Sequence, residues 1–192
     1  MAVIRQFKAV RPTPAMAEKV AALPYDVVNS EEARDMTAGK PYSFLHVDKA
    51  EIDLPVGIDI YSPEVYAKAK ENLDNLIANG ILIQDDKPML YIYELTMEGR
   101  SQTGLVACTS IDEYINGIIK KHELTREDKE QDRIRHVDIC NANTGPIFLA
   151  YRTVDKISEI INKIKKNLPL YNFTAEDGIK HRAWVIDNED DI

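Results

Sequence analysis

Only two cysteines occur among the 192 residues, Cys108 and Cys140, and they stand in no Cys-x-x-Cys pattern. Two isolated thiols argue against a disulfide framework and suit a reducing cytoplasm, which is the expected location. No apolar run approaches the ~20 residues of a membrane span, so no membrane partner is expected. Cations are the minority charge: Lys and Arg number 24 against 32 Asp and Glu, for a formal net charge of −8. Without a strongly basic arm or face the chain is not expected to bind nucleic acid. A glycine-rich Walker loop is also missing, which excludes a P-loop mechanism. There are no internal repeats and no low-complexity tract. With 44% hydrophobic and 29% charged residues, the chain has the length and apolar material for one sizeable domain or two small ones that share a core.

What the sequence does contain is a dense charged stretch from Lys120 to His136, with two of the four histidines, His122 and His136. Thr125 followed by Asp128 has the form of a helix cap with an acid in the first turn. A helix from there brings Lys129, Asp132, Arg133, His136 and Cys140 onto one face. A core stripe normally carries Leu and Ile at this spacing; here it carries cations, a carboxylate and an imidazole. A helix this polar is solvated all round or lines a site. Asp132, four residues before His136, is placed to hold the imidazole's tautomer. Lys129, Arg133 and His136 form a cationic patch of the kind a small anionic metabolite requires. His136 and Cys140 are also a sound metal-ligand pair, but no second pair completes them and no metal site is assigned.

Along the chain, Ala2–Val10 alternates as a first strand, with Ile4 and Phe7 inward, and a short helix follows to Val20. Tyr25 and Asp26, after Pro24, form either a turn with a tyrosine lid or a polar wall of a pocket. Ser30 caps a helix ending near Gly39, Lys40–Val47 reads as a strand, and 48–62 as a loop. Ser62-Pro63-Glu64 starts a helix to about Asn79, with Val65, Ala69, Leu73, Leu76 and Ile77 buried. Ile81–Gln84, Met89–Met97 and Ser101–Ile111 read as strands, the last two joined by a turn at Glu98–Arg100, with Cys108 buried. Ile118–Ile119 are strand-like after the Asn116-Gly117 turn. The polar loop Asn141–Pro146 leads to an apolar strand, Ile147–Tyr151. Val154–Lys166 is an amphipathic helix, and two strands flank the Glu176-Asp177-Gly178 turn. The acidic end after Ile186 reads as a cut linker.

Arg11-Pro12, Pro24-Tyr25-Asp26-Val27, Ser43-Phe44-Leu45-His46-Val47, His122-Glu123 with Thr125, Lys129, Asp132-Arg133 and His136, and Asn141 with Gly145-Pro146 together resemble domain-of-unknown-function family 1015. The resemblance covers essentially the whole chain in matching order. Its members are longer than this chain and carry an Asp-Gly-His-His-Arg motif that is absent here, which implies an N-terminal portion. That motif is similar to the phosphate-handling signature of partition-protein and sulfiredoxin-like proteins, among them kinases of free serine. The implied activity is small-molecule phosphoryl transfer in serine metabolism, with Mg²⁺ and ADP or ATP as its cofactors.

These readings combine into an expected α+β fold: a mixed, largely antiparallel sheet with about four packed helices. Residues 1–192 are expected to form one globular unit, with a candidate sub-boundary near residue 85. The expected function is a serine-type phosphotransferase, or the half of its site that binds phosphate. Glu123, Asp132 and His136 would act as acid or base, and His122, Thr125, Lys129, Arg133, Tyr25, Asp26 and Asn141 would hold the ligand. The rival reading is a non-catalytic module that binds an anionic metabolite or a protein.

Overall fold

The computed structural model describes residues 2–122 and 125–188. Its architecture is α+β: seven α-helices among the described residues, four of them with eight residues or more, and antiparallel sheets. The chain separates into two units that interleave in sequence. The first comprises Met1–Pro14, Gln84–Glu123 and Leu149–Ile192; the second comprises Ala15–Ile83 and Leu124–Phe148.

In chain order, β1 (Ile4–Arg5) and β2 (Val10–Pro12) precede α1 (Ala17–Val20), α2 (Ser30–Thr37) and α3 (Leu45–Asp48). A 3-10 turn, Ala50–Asp53, leads to the long α4 (Pro63–Ala78) and to β3 (Leu82–Gln84). Then come β4 (Leu90–Met97), β5 (Arg100–Val106), β6 (Cys108–Thr109), α5 (Ile111–Ile115) and α6 (Glu127–Cys140). Last are α7 (Asp155–Ile164), β7 (Tyr171–Thr174) and β8 (Lys180–Ile186). No helix among the described residues is long and apolar enough to cross a membrane.

The first unit is built on a four-stranded antiparallel sheet in the order β5-β4-β8-β7. Strand alternation sends Leu90, Ile92, Trp184 and Ile186 to one face, where Ile160, Ile161 and Ile164 of α7 cover them. The β4–β5 hairpin turns through Glu98 and Gly99, both at positive φ (50° and 78°), the conformation a tight hairpin with right-handed strand twist demands. Glycine adopts it freely, whereas Glu98 bears a steric cost.

In the second unit, α4 contributes Val65, Ala69, Leu73 and Leu76 to a core with Val20, Val47, Leu82 and Cys140. Pro63 opens this helix at a position where its missing N–H costs nothing. A smaller cluster of Ala33, Leu45 and Ile52 ties α2, α3 and the 3-10 turn together. Arg34 fastens that turn by donating to the carbonyls of Glu51 (2.7 Å), Ile52 and Leu54 (2.9 Å).

Several local expectations are corrected. Lys40–Val47 is no strand: Phe44, Leu45 and Val47 enter a helical turn whose backbone closes through Asp48 N to Phe44 O at 3.1 Å and Lys49 N to Leu45 O at 2.8 Å. The expected loop after it holds the 3-10 turn, with Ala50, Glu51 and Ile52 buried. Asn29, not Ser30, caps α2, because it accepts from Glu31 and Glu32 while the Glu32 side chain accepts from Asn29 N, a reciprocal box. Ser62 occupies the cap position of α4 without making a side-chain cap bond, and Ile77 faces outward. The first strand is interrupted, and Ile4 is exposed. Cys108, in a two-residue strand, is exposed, and the strand expected to run to Ile111 ends at Val106, with the separate β6 after it. Ile118–Ile119 and Ile147–Tyr151 form no strand, and Ile118, Ile147, Phe148 and Tyr151 are exposed. The acidic end at Glu189–Ile192 lies outside the described residues.

Candidate functional site

The second unit encloses a cavity of about 190 Å³. Its floor is the polar face of α6, with Lys129, Asp132, Arg133 and His136 one and two turns apart. One wall is the N-terminal part of α4 with Tyr66 and the preceding Tyr61; another is the turn from α3 into the 3-10 turn, Asp48 to Glu51. Tyr25 and Asp26, in the turn after Pro24, close the rim.

The imidazole of His136 is almost wholly buried, at 3% exposure. Its Nε2 lies 3.0 Å from the carbonyl oxygen of Val47. A carbonyl only accepts, so Nε2 carries the hydrogen and, in the neutral ring, Nδ1 keeps its lone pair. That Nδ1 is buried and has no hydrogen-bond partner among the described residues. Buried polar atoms are nearly always satisfied, so this atom on the wall of a cavity is open to a donor from a water or a ligand.

Asp132 has a different job from the one its spacing implies. Its Oδ1 accepts from Tyr66 Oη at 2.9 Å, and its Oδ2 accepts from Arg133 Nε at 3.0 Å and Nη2 at 2.8 Å. The tautomer of His136 is therefore held by the Val47 backbone, not by Asp132. Burial, and then the bond to Asp132, push the Tyr66 hydroxyl up to about 12, so it stays a donor at neutral pH. Arg133 also stacks over the ring of Tyr25 at 4.1 Å, and the Lys129 ammonium donates to Tyr61 Oη at 3.1 Å.

The cationic patch is thus part of a mixed-charge site. Four carboxylates line it, Asp26, Asp48, Glu51 and Asp132, beside Lys49, Lys129 and Arg133. Glu51 is paired with Lys49 at 3.1 Å and accepts from Ser30 Oγ at 2.7 Å. Asp48 accepts from Thr144 Oγ1 at 2.8 Å. Burial pushes the Asp48 carboxyl above its ordinary range, and the Thr144 hydroxyl with nearby His136 and Arg133 pulls it back only in part. Burial likewise raises the Cys140 thiol, so this cysteine, on the same helix face, is a core group and not a ready nucleophile.

Of the residues singled out in the sequence, the cavity collects Tyr25, Asp26, Lys129, Asp132, Arg133 and His136. His122 is exposed and belongs to the other unit. Thr125 is exposed and caps nothing, since Arg126 holds the cap position of α6. Asn141 is exposed and ends α6 in the left-handed conformation, φ 49°, a helix-stop role. Glu123 lies outside the described residues. Sequence reasoning missed Asp48, Tyr61, Tyr66 and Thr144. Tyr66 had a signal, being three residues after Pro63 on the inward side of a helix already recognised.

Among the described residues no group of three or more His, Cys, Asp or Glu side chains is disposed to hold a metal ion. At about 190 Å³ the cavity matches a metabolite of a few heavy atoms. It is smaller than the ~300–1,000 Å³ of pockets that take drug-sized ligands. The donor set and the volume therefore do not fit a resident Mg²⁺–nucleotide.

A search of curated proteins and a search of solved structures each return no match. The model of the family described as "Protein of unknown function (DUF1015)" matches residues 4–192, and the chain belongs to that family.

Proposed function

We propose, for this member of the family, that the cavity of the second unit binds a small anionic metabolite and forms the acceptor half of a serine-type phosphotransferase site. The observation that carries the reading is His136: a buried imidazole whose Nδ1 is an unpartnered acceptor, on the helix face that also holds Lys129 and Arg133. Phosphoryl transfer needs a base at the acceptor hydroxyl and cations at the non-bridging oxygens. Nδ1 would take the hydroxyl proton as the oxygen attacks phosphorus, while the bond from phosphorus to the donor's bridging oxygen breaks and that oxygen leaves with the rest of the donor. Lys129 would balance charge on the phosphoryl oxygens together with Arg133, whose Nη1 is left over from the Asp132 pairing. The phosphate donor, with any Mg²⁺ it brings, would bind outside this cavity.

The test is a thermal-shift titration of the chain with serine, phosphoserine, pyrophosphate, ADP and ATP, each with and without magnesium, repeated on Lys129→Met. Stabilisation by an anionic compound, lost in Lys129→Met, is the expected result. Lys129 has Tyr61 as its hydrogen-bond partner at the surface of the cavity, so its loss leaves the fold intact. No shift with any compound would overturn the reading. A second reading, a binding module without catalysis, is favoured by the volume, which leaves no room for a nucleotide. It predicts that His136→Asn binds as well as the parent and that no phosphoryl transfer is ever seen.

A further inference from the structure

The charges of the cavity do not cancel. Lys49 neutralises Glu51, and Arg133 neutralises Asp132. Among the described residues that leaves Asp26, which is exposed, and Asp48, which is half-buried, against the ammonium of Lys129. Among the described residues, the hydroxyl of Thr144 is the hydrogen-bond donor to Asp48, and it brings no positive charge. Burial pushes this carboxyl up, and the Thr144 hydroxyl with the attraction of nearby His136 and Arg133 offsets that only in part.

The second acceptor without a donor is Nδ1 of His136. It stands close to the first in the fold, because the carbonyl that fixes the ring belongs to Val47, the residue before Asp48. Two acceptors of neighbouring origin, one of them anionic, ask for a ligand end rich in hydrogen-bond donors. A phosphate or carboxylate offers only acceptors and is repelled there. Its place is at Lys129 and the free edge of Arg133.

We propose that Asp48 is the specificity residue of this cavity, its carboxylate receiving a primary ammonium, so that the ligand is an amino-bearing anion and not a simple one. The proposal rests on the reading of the cavity as a ligand site and narrows the class of ligand. The ammonium supplies the charge that Asp48 lacks, and a hydroxyl beside it donates to Nδ1 of His136, the atom that would take its proton. The anionic end lies on the α6 cations, and the aromatic rings of Tyr61 and Tyr66 line the space between them.

Matched pairs of probes separate this from a plain anion site. Serine and glycerate differ by an ammonium in place of a hydroxyl, as do O-phosphoethanolamine and ethylene glycol phosphate. Calorimetric titration of the intact chain is expected to favour the ammonium member of at least one pair by about tenfold or more, the size of a charge-assisted hydrogen bond. In Asp48→Asn that preference is expected to collapse, with the hydroxyl member binding as before. Equal binding of the two members by the unaltered chain overturns the proposal while leaving the anion site in place, and needs no variant to fold. A preference that survives in Asp48→Asn also overturns it. Failure of every probe to bind removes both the proposal and the ligand site on which it rests.

Discussion

Two carboxylates, one buried in the first unit and one half-buried in the second, show opposite treatments of a charge drawn out of water. Glu94, on β4 of the first unit, is 1% exposed. Register puts Thr103 of β5 and Arg182 of β8 directly beside it on the neighbouring strands. Thr103 donates to Oε2 at 2.9 Å, Arg182 pairs with Oε1, and Lys165 at the end of α7 pairs with Oε2. Burial pushes the Glu94 carboxyl up, yet the bonds from Lys165, Thr103 and Arg182 more than offset it and hold it below the usual range. Among the described residues Asp48 has one neutral donor, and burial holds its carboxyl above that range. A carboxylate with all its partners supplied by the protein is part of the scaffold. One left short of charge is carried at a cost to folding, and a cost of that kind is retained where a ligand repays it.

The comparison breaks most visibly at Glu94. Glu94→Gln leaves Lys165 and Arg182 without their shared anion, and removing one member of a buried ionic set costs about 3–5 kcal/mol. Both cations are partly exposed, at 26% and 33%, and can turn toward water. The expected loss is therefore at the lower end, about 3 kcal/mol, read as a drop in the urea midpoint. A loss under about 1 kcal/mol would mean that the network is screened and that Glu94 is no scaffold charge.

A smaller effect is expected at Asp132, the carboxylate of the cavity that resembles Glu94 in having its partners. Tyr66→Phe deletes the 2.9 Å hydrogen bond to Asp132 and leaves ring packing against α4 and α6 intact. A buried bond to a charged acceptor is worth about 1.5–3 kcal/mol, and here Arg133 remains to support the carboxylate, so about 1.5 kcal/mol is expected. If Tyr66→Phe is neutral, Asp132 is not a structural acid, and the assignment of ligand binding to the residues around it weakens.

How much of this was legible in advance depended on the range of the interactions. The α6 face was legible because Lys129, Asp132, Arg133 and His136 repeat at helical spacing over several turns. The long α4 and the β7–β8 hairpin were legible from Pro63 and from the Asp177-Gly178 turn. Four residues of α3 are too few to show a period, so Phe44–Val47 passed for a strand, and Asp48, at its end, passed for loop. The partners of His136 and Asp132 come from 89 and 66 residues away, and no local pattern announces them. Glu94 is the extreme case: its partners follow from strand register, which requires the whole sheet. The interleaving of two units was equally hidden, since composition does not change where the chain crosses from one to the other.

The smallest expected effect is the most discriminating. Asp48→Asn keeps an oxygen to accept from Thr144 and removes the half-buried charge, so the ligand-free chain is expected to be as stable as the parent or slightly more so at neutral pH. The gain is smaller than about 1 kcal/mol, the worth of the Thr144 bond that the amide has to reproduce. The pH dependence carries the sign. A carboxyl whose folded pKa lies above its ordinary 3.8 holds its proton more tightly in the folded state than in the unfolded one. Below the ordinary value both states are protonated and Asp48 adds no penalty. As pH rises from there through the raised value, the folded state is penalised progressively, and above it the penalty is complete. The stability difference between Asp48→Asn and the parent should therefore widen as pH rises through that window and level off beyond it. The corresponding difference for Glu94→Gln, whose folded pKa is depressed, should shrink as pH falls through the range below the ordinary 4.5. Urea unfolding of both variants and the parent across acid to neutral pH reads both slopes. Parallel curves for Asp48→Asn and the parent would mean that this carboxylate already has its counter-charge within the protein, and the case for an ammonium-bearing ligand would fall with it.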